Sequence, residues 1–118
     1  MSICYDLRFP MLYQEMVKRG ADIILVPAAF TESTGKIHWE PLLKARAIEN
    51  QCYVIAPAQG GLHKNGRRTY GHTIAIDYLG QVQGLRLKGA GIITISIDLV
   101  AQRKIRKSFP VLKHTKLQ

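Results

Sequence analysis

The stretch Asp22-Ile23-Ile24-Leu25-Val26-Pro27 is a continuous apolar run, rich in β-branched residues and closed by proline. It is too short for a helix and predicts a strand buried on both faces, as in a sheet covered by helices. Downstream, Cys52-Tyr53-Val54-Ile55-Ala56 repeats the pattern. Between the two runs lie a polar loop over 28–36 and a helix from Ile37 to Asn50. Trp39, Leu42, Leu43, Ala47 and Ile48 form the apolar stripe of that helix. Upstream, Pro10 suits the first turn of another helix, where its missing N–H costs nothing. Leu12, Tyr13 and Met16 recur at helical spacing, Lys18-Arg19 suit the C-terminal dipole, and Gly20 is the stop. Ile3-Cys4-Tyr5-Asp6 reads as the tail end of a further strand. Strand, helix, strand, helix, strand is the order of parallel α/β architecture.

The remainder has a different texture. Gly60 to Tyr70 is a basic, glycine-rich loop. His72–Tyr78 alternates, Leu79-Gly80-Gln81 reads as a turn, and Val82–Leu87 returns, which predicts an antiparallel hairpin. Gly91 to Asp98 predicts a strand through its alternating isoleucines, and Leu99 to Ser108 a short basic helix ended by Pro110. No internal repeat, low-complexity tract or linker interrupts the chain.

Composition narrows the function classes. The 118 residues are 47% hydrophobic and 21% charged, which excludes a disordered chain. The length fits one small domain or part of a larger one, and such a domain buries only about two-thirds of its unfolded surface. No apolar run approaches the roughly 20 residues of a membrane span, and no secretory signal is expected, because Asp6, Arg8 and Glu15 break up the start. Two cysteines do not make a disulfide framework, so a reducing, cytoplasmic setting is expected. The net charge of +9 lies wholly in residues 60–118, which hold eleven basic groups against Asp77 and Asp98. Residues 1–59 hold six of each sign. The basic residues are scattered without interleaved stacking aromatics, so a solvated face or an acidic partner chain is favoured over nucleic acid.

Cys4 is the first candidate for chemistry. It ends a predicted strand just before a helix, where a sharp turn can present a thiol beside free backbone N–H groups. The alternative is a buried core thiol. A nucleophilic cysteine needs a base, and His38, His63, His72 and His114 are available, but no spacing singles one out. Glu40, beside Trp39 on the striped helix, either serves a site or forms a helix-surface ion pair with Lys44 or Arg46. No Gly-x-Ser-x-Gly, His-Glu-x-x-His, Cys-x-x-Cys or phosphate loop occurs. No ligand spacing favours a metal, and no cofactor is expected.

Several blocks together resemble the nitrilase, or carbon–nitrogen hydrolase, superfamily. They are 3–10 (ICYDLRFP), 20–22, 27–31 (PAAFT), 34–40 (TGKIHWE), 46–54 (RAIENQCYV), 70–72 (YGH) and 110–112, in the order the family has them. The ω-amidase and deaminated-glutathione amidase branch is the nearest in pattern. The resemblance implies an α/β fold, a partial αββα sandwich with a mixed sheet. Residues 1–118 are then the C-terminal part of a single carbon–nitrogen hydrolase domain whose N-terminal half is missing.

Such enzymes use a Glu–Lys–Cys triad. Cys4 matches the nucleophile, whereas the base glutamate and the lysine belong to the upstream half, outside these residues. By the same resemblance Glu40 is an additional active-site glutamate, and the Tyr5 backbone N–H joins the oxyanion hole. Arg8, Phe30 and Thr34 bind the carboxylate of a small amide substrate. His38 and Trp39 shape the pocket wall, and Tyr70-Gly71-His72 supports the site. The expectation is an amidase that is inactive as this chain alone, completed by a chain supplying the N-terminal half and then homo-oligomeric. The alternative is a non-catalytic remnant or interaction module.

Overall fold

The structure is a computed structural model and describes residues 1–117. Both two-sided apolar runs form strands, β1 (Ile23–Leu25) and β2 (Tyr53–Ala56), paired in parallel with Ile24 opposite Val54. The hairpin supplies β5 (Thr73–Ile76) and β6 (Val82–Arg86). β5 runs antiparallel to β2 and β6 antiparallel to β5, so the sheet is mixed, in the order β1-β2-β5-β6. Helices α1 (Pro10–Lys18) and α2 (Glu32–Asn50) cover one face. There Tyr13, Val17, Trp39, Leu43 and Ala47 pack on Ile24, Val54, Ala56, Ile74 and Ile76. These strand residues share a face because side chains alternate with period two.

The opposite face is covered only in part. Ile23 and Leu25 of β1 point there and are 38% and 44% exposed. Gly91 to Asp98, expected as a strand, forms none. It crosses this face instead, with Ile93 and Ile95 leaning on Gly84 of β6 so closely that a Cβ there would lie 3.2 Å from both. Its N–H and C=O groups find no neighbouring strand in the described chain, so the isoleucine alternation alone cannot make a ladder. Ile92, on the outer side, is 88% exposed.

Two further expectations shift. The loop over 28–36 is shorter, because α2 starts at Glu32. Ser33-Thr34-Gly35 has weak helix propensity, yet tertiary packing recruits it. Gly35 lets the Tyr70 ring press against the helix, where a Cβ would lie 2.5 Å from the Tyr70 Cβ. The basic loop over 60–70 contains a two-stranded ribbon, β3 (Gly60–Leu62) and β4 (Arg68–Tyr70). Helix α3 (Leu99–Ser108) forms as expected and is capped by Asp98, whose side chain accepts from the Ala101 N–H.

Candidate active site

Residues 1–3 run extended beside β1, as a strand tail would. Ser2 N–H donates to Leu25 O and Cys4 N–H to Pro27 O, both at 3.0 Å. Ser2 Oγ shares a buried 2.6 Å hydrogen bond with the Tyr13 hydroxyl, which ties the segment to α1. At Cys4 the chain turns abruptly. Its φ of +45° is left-handed, a conformation that costs a residue with a Cβ about 1–2 kcal/mol. A 3-10 turn, Cys4–Arg8, follows at once and leads to Pro10 at the start of α1. Asp6 fixes this turn by accepting from the Ile3 N–H at 3.0 Å.

Arg46 of α2 holds the turn from behind. Its side chain is buried, and Nε and Nη2 donate to Leu7 O at 3.1 and 2.8 Å. Nη1 pairs with Glu49 at 2.9 Å, and the guanidinium lies over the Tyr13 ring. A buried cation is tolerable only when paired and hydrogen-bonded in this way. The consequence at the surface is a half-buried Cys4 thiol on a strained elbow. Cys4 and Asp6 both donate their backbone N–H groups, to Pro27 O and Ile3 O. Tyr5 N–H, between them, has no partner among the described residues.

Two clefts meet at the elbow. One, of about 600 Å³, runs between the loops that leave β1 and β2 and is lined by Pro27, Ala28, Pro57 and Ala58. Those loops are laddered, Ala28 N–H donating to Pro57 O and Gln59 N–H to Ala28 O. The other, of about 320 Å³, is lined by Tyr5, Arg8, Phe30 and Thr34 as well as Cys4. The Arg8 guanidinium lies 5.1 Å from the Phe30 ring centre and 5.7 Å from that of Tyr5, and its Nη1 is 3.3 Å from His38 Nδ1. Phe30 packs on Trp39, whose indole N–H donates to His72 O, and Tyr70 stacks on His72. Tyr70 N–H in turn donates to Phe30 O at 2.8 Å, so the 70–72 segment braces the wall.

Five of the expected residues, Cys4, Tyr5, Arg8, Phe30 and Thr34, therefore share one cleft. Glu40 does not join them. Its carboxylate pairs with Lys44 at 2.7 Å on a half-exposed face of α2. No Asp, Glu or Lys lines either cleft. Two residues take roles that sequence reasoning did not assign, Arg46 pairing with Glu49 and Leu7 O rather than with Glu40. Arg46 had a signal, the Arg-x-x-Glu spacing to Glu49 on one helix face. Arg67, which lines both clefts, had none beyond its charge.

Chemically, the site offers a half-buried thiol, a free backbone donor beside it and two guanidinium groups. The second cysteine offers nothing comparable. Cys52 is fully buried, and burial pushes its thiol up to about 12.

Comparison with known proteins identifies the family of the chain. The profile of the carbon–nitrogen hydrolase family aligns with residues 1–107. The chain is 49% identical over 116 residues to the deaminated glutathione amidase of Yersinia enterocolitica, covering 98% of this chain and 41% of the relative. It is 45% identical over 114 residues to the human protein of the same name, covering 97% of this chain and 35% of the relative. The chain thus spans about two-fifths of the length of the curated relatives it matches. Among solved structures, the NitFhit protein of C. elegans superposes with a TM-score of 0.89 at 44% identity, over 98% of this chain and 28% of that one. A hydrolase of the same superfamily from Xanthomonas campestris, with an arsenic adduct in its active site, gives 0.88 at 32%, over 98% of this chain and 46% of that one. With the profile aligned over nearly its whole length, the chain belongs to the carbon–nitrogen hydrolase family.

Proposed function

We propose that this chain carries the nucleophilic portion of a cysteine amidase that hydrolyses small carboxylate-bearing amides through a thioester. The observation that carries the reading is the strained, half-buried Cys4 at the junction of two clefts, next to an unpartnered Tyr5 N–H. The names of the relatives, deaminated glutathione amidases, point to the same chemistry.

In this reading a glutamate takes the Cys4 proton and the thiolate attacks the amide carbon. The carbonyl oxygen becomes an oxyanion held by Tyr5 N–H and a lysine. The C–N bond breaks as the nitrogen is protonated, ammonia or an amine leaves, and water hydrolyses the thioester. Arg8, Phe30 and Thr34 seat the carboxylate of the substrate. For Glu40, the pairing with Lys44 favours a positioning role on α2 over proton transfer. The glutamate and lysine come from the sequence that precedes this region in the family, whether on the same polypeptide or on a second one. The completed enzyme is read as a homo-oligomer. Two free thiols fit a reducing compartment such as the cytoplasm.

Since no carboxylate or lysine lines the clefts, the isolated chain is expected to show little or no turnover. The same observation favours a second reading, a non-catalytic remnant or interaction module. The test is ammonia or amine release from ω-amides of dicarboxylic acids and from deaminated glutathione. It compares the chain alone, the chain with an upstream half, and the complemented Cys4→Ala variant. Turnover only with the upstream half and with Cys4 present is the expected result. Robust turnover by the isolated chain, or turnover that survives Cys4→Ala, overturns the proposal.

A further inference from the structure

Cys4 and Arg67 are the two residues that line both clefts at the elbow. Arg67 comes from the turn between β3 and β4, distant in sequence, so tertiary packing alone brings it to the thiol. The guanidinium is anchored at one nitrogen. Nη2 donates to Ala29 O and to Thr31 Oγ1, each at 3.2 Å. Nε and Nη1 have no partner among the described residues. No carboxylate in either cleft neutralises the charge. The only other cation lining these clefts, Arg8, rests on the Tyr5 and Phe30 rings and reaches His38. A guanidinium fixed at one corner with the rest of its fork open is a receptor for a planar anion.

We propose that Arg67 is a specificity-determining residue that receives a carboxylate of the substrate where the two clefts meet, so that the site selects anionic amides with two cations, Arg67 and Arg8. The inference deepens the amidase reading and rests on it, because it takes Cys4 as the reacting atom. It adds a residue that the β3–β4 turn contributes to the cleft, and it makes a neutral amide of the same shape a poor ligand.

The test needs no turnover. In the 118-residue chain, the rate of Cys4 alkylation is measured with iodoacetate and with iodoacetamide, and the modified residue is identified by peptide mass mapping. In both reactions the thiolate sulfur bonds the methylene carbon and iodide leaves. The reagents differ only in carrying a carboxylate or a neutral amide. The ratio of the two rates therefore reads anion recognition, whatever the thiolate fraction. Arg67→Gln is expected to lower the iodoacetate-to-iodoacetamide ratio about tenfold, as loss of a charge-assisted hydrogen bond predicts. Arg67→Lys keeps part of the ratio. Thr31→Val removes one anchor but keeps the charge, and is expected to hold the ratio within about twofold. An unchanged ratio in Arg67→Gln overturns the inference and leaves the amidase reading standing. So does an equal fall in both rates, which would mean that Arg67 acts on the thiolate or the loop. A native Cys4 that reacts with neither reagent removes the amidase reading, and the inference with it.

Discussion

At the carboxyl ends of β1 and β2 the chain leaves a thiol, a free N–H and two guanidinium groups facing open clefts. At the amino ends of the same two strands the side-chain donors are tied down, although Asn50 Oδ1, Gln51 Oε1 and Gln102 Oε1 are buried without a partner among the described residues. Gln102 of α3 donates to Asp22 O and Gln51 O, and Arg106 donates to Gln51 O and Ala21 O while pairing with Asp22 at 2.5 Å. At the amino end Gln51 is left-handed, at φ +46°; at the carboxyl end Cys4 is so at +45° and His72, beside the chain that leaves β2, at +60°. Gln51 caps α2, and its side chain donates to Phe109 O, so its strain serves closure. The strain at Cys4 instead lifts a thiol toward solvent. The difference follows a general tendency of open α/β sheets, which bind ligands at the carboxyl ends of strands and leave the other edge to hold the fold together.

The sharpest way to break this contrast is to alkylate both cysteines in the native chain. With the Cys52 thiol at about 12 and fully buried, Cys4 is expected to react at least about a hundredfold faster near neutral pH. In denaturant the two rates should converge. Equal native rates, read by mass mapping, would erase the distinction between the ends.

Next in size are two arginine truncations. Arg106→Ala at the closed end takes the near cation from Asp22, and Arg46→Ala behind the elbow strands the Leu7 carbonyl; each is expected to cost about 3 kcal/mol in denaturant unfolding. They should part on a second readout. Arg46→Ala also changes the Cys4 alkylation rate, whereas Arg106→Ala leaves it unaltered.

A pH series sharpens the closed end further. The folded Cys52 thiol holds its proton up to about 12, whereas an unfolded thiol loses it near the ordinary value of 9. The unfolded state therefore binds fewer protons between those limits, and stability falls as pH rises through that window. Thermal melts of Cys52→Ala should show a shallower alkaline decline than the native chain. Some decline should remain, because burial also raises the Tyr13 hydroxyl.

The smallest expected effect isolates strain at the open end. Cys4→Gly and Cys4→Ala both lack the thiol, but glycine accepts a positive φ at no steric cost. Cys4→Gly is expected to be the more stable by about 1 kcal/mol in urea unfolding. Equal stabilities would mean that the elbow stores no strain.

How much of this was legible in the sequence varies with the kind of signal. The runs at Ile23–Val26 and Cys52–Ala56 announced strands through their continuous apolar, β-branched character, but burial on both faces did not follow for β1, where Ile23 and Leu25 are exposed on one side. Cys4 was legible as a sharp turn before a helix, but its 3-10 turn was not: the strand tail expected over Ile3–Asp6 stops at Ile3, because Cys4 turns left-handed and Cys4–Arg8 coil into a 3-10 helix. The family blocks added Tyr5, Arg8, Phe30 and Thr34. Gly91–Asp98 misled because alternation reports which side chains are apolar, and a strand also requires a neighbour offering backbone groups. The early start of α2 was hidden because Gly35 is a poor helix former whose packing against Tyr70 appears only in three dimensions. Arg46 and Arg67 read as surface charge. One is buried by Tyr13 and Leu7, the other is carried to the thiol by a ribbon that looked like a loop. Long-range contacts of this kind leave no periodicity in the chain.

Arg46 ties the carbonyl of Leu7 to a helix that packs on the two central strands of the sheet, β2 and β5. A strut of this kind makes the aim of the sulfur depend on how α2 lies. The reaction rate of one surface atom would then act as a gauge of the helix behind it, slowing or quickening when the interior loosens and before the chain comes apart.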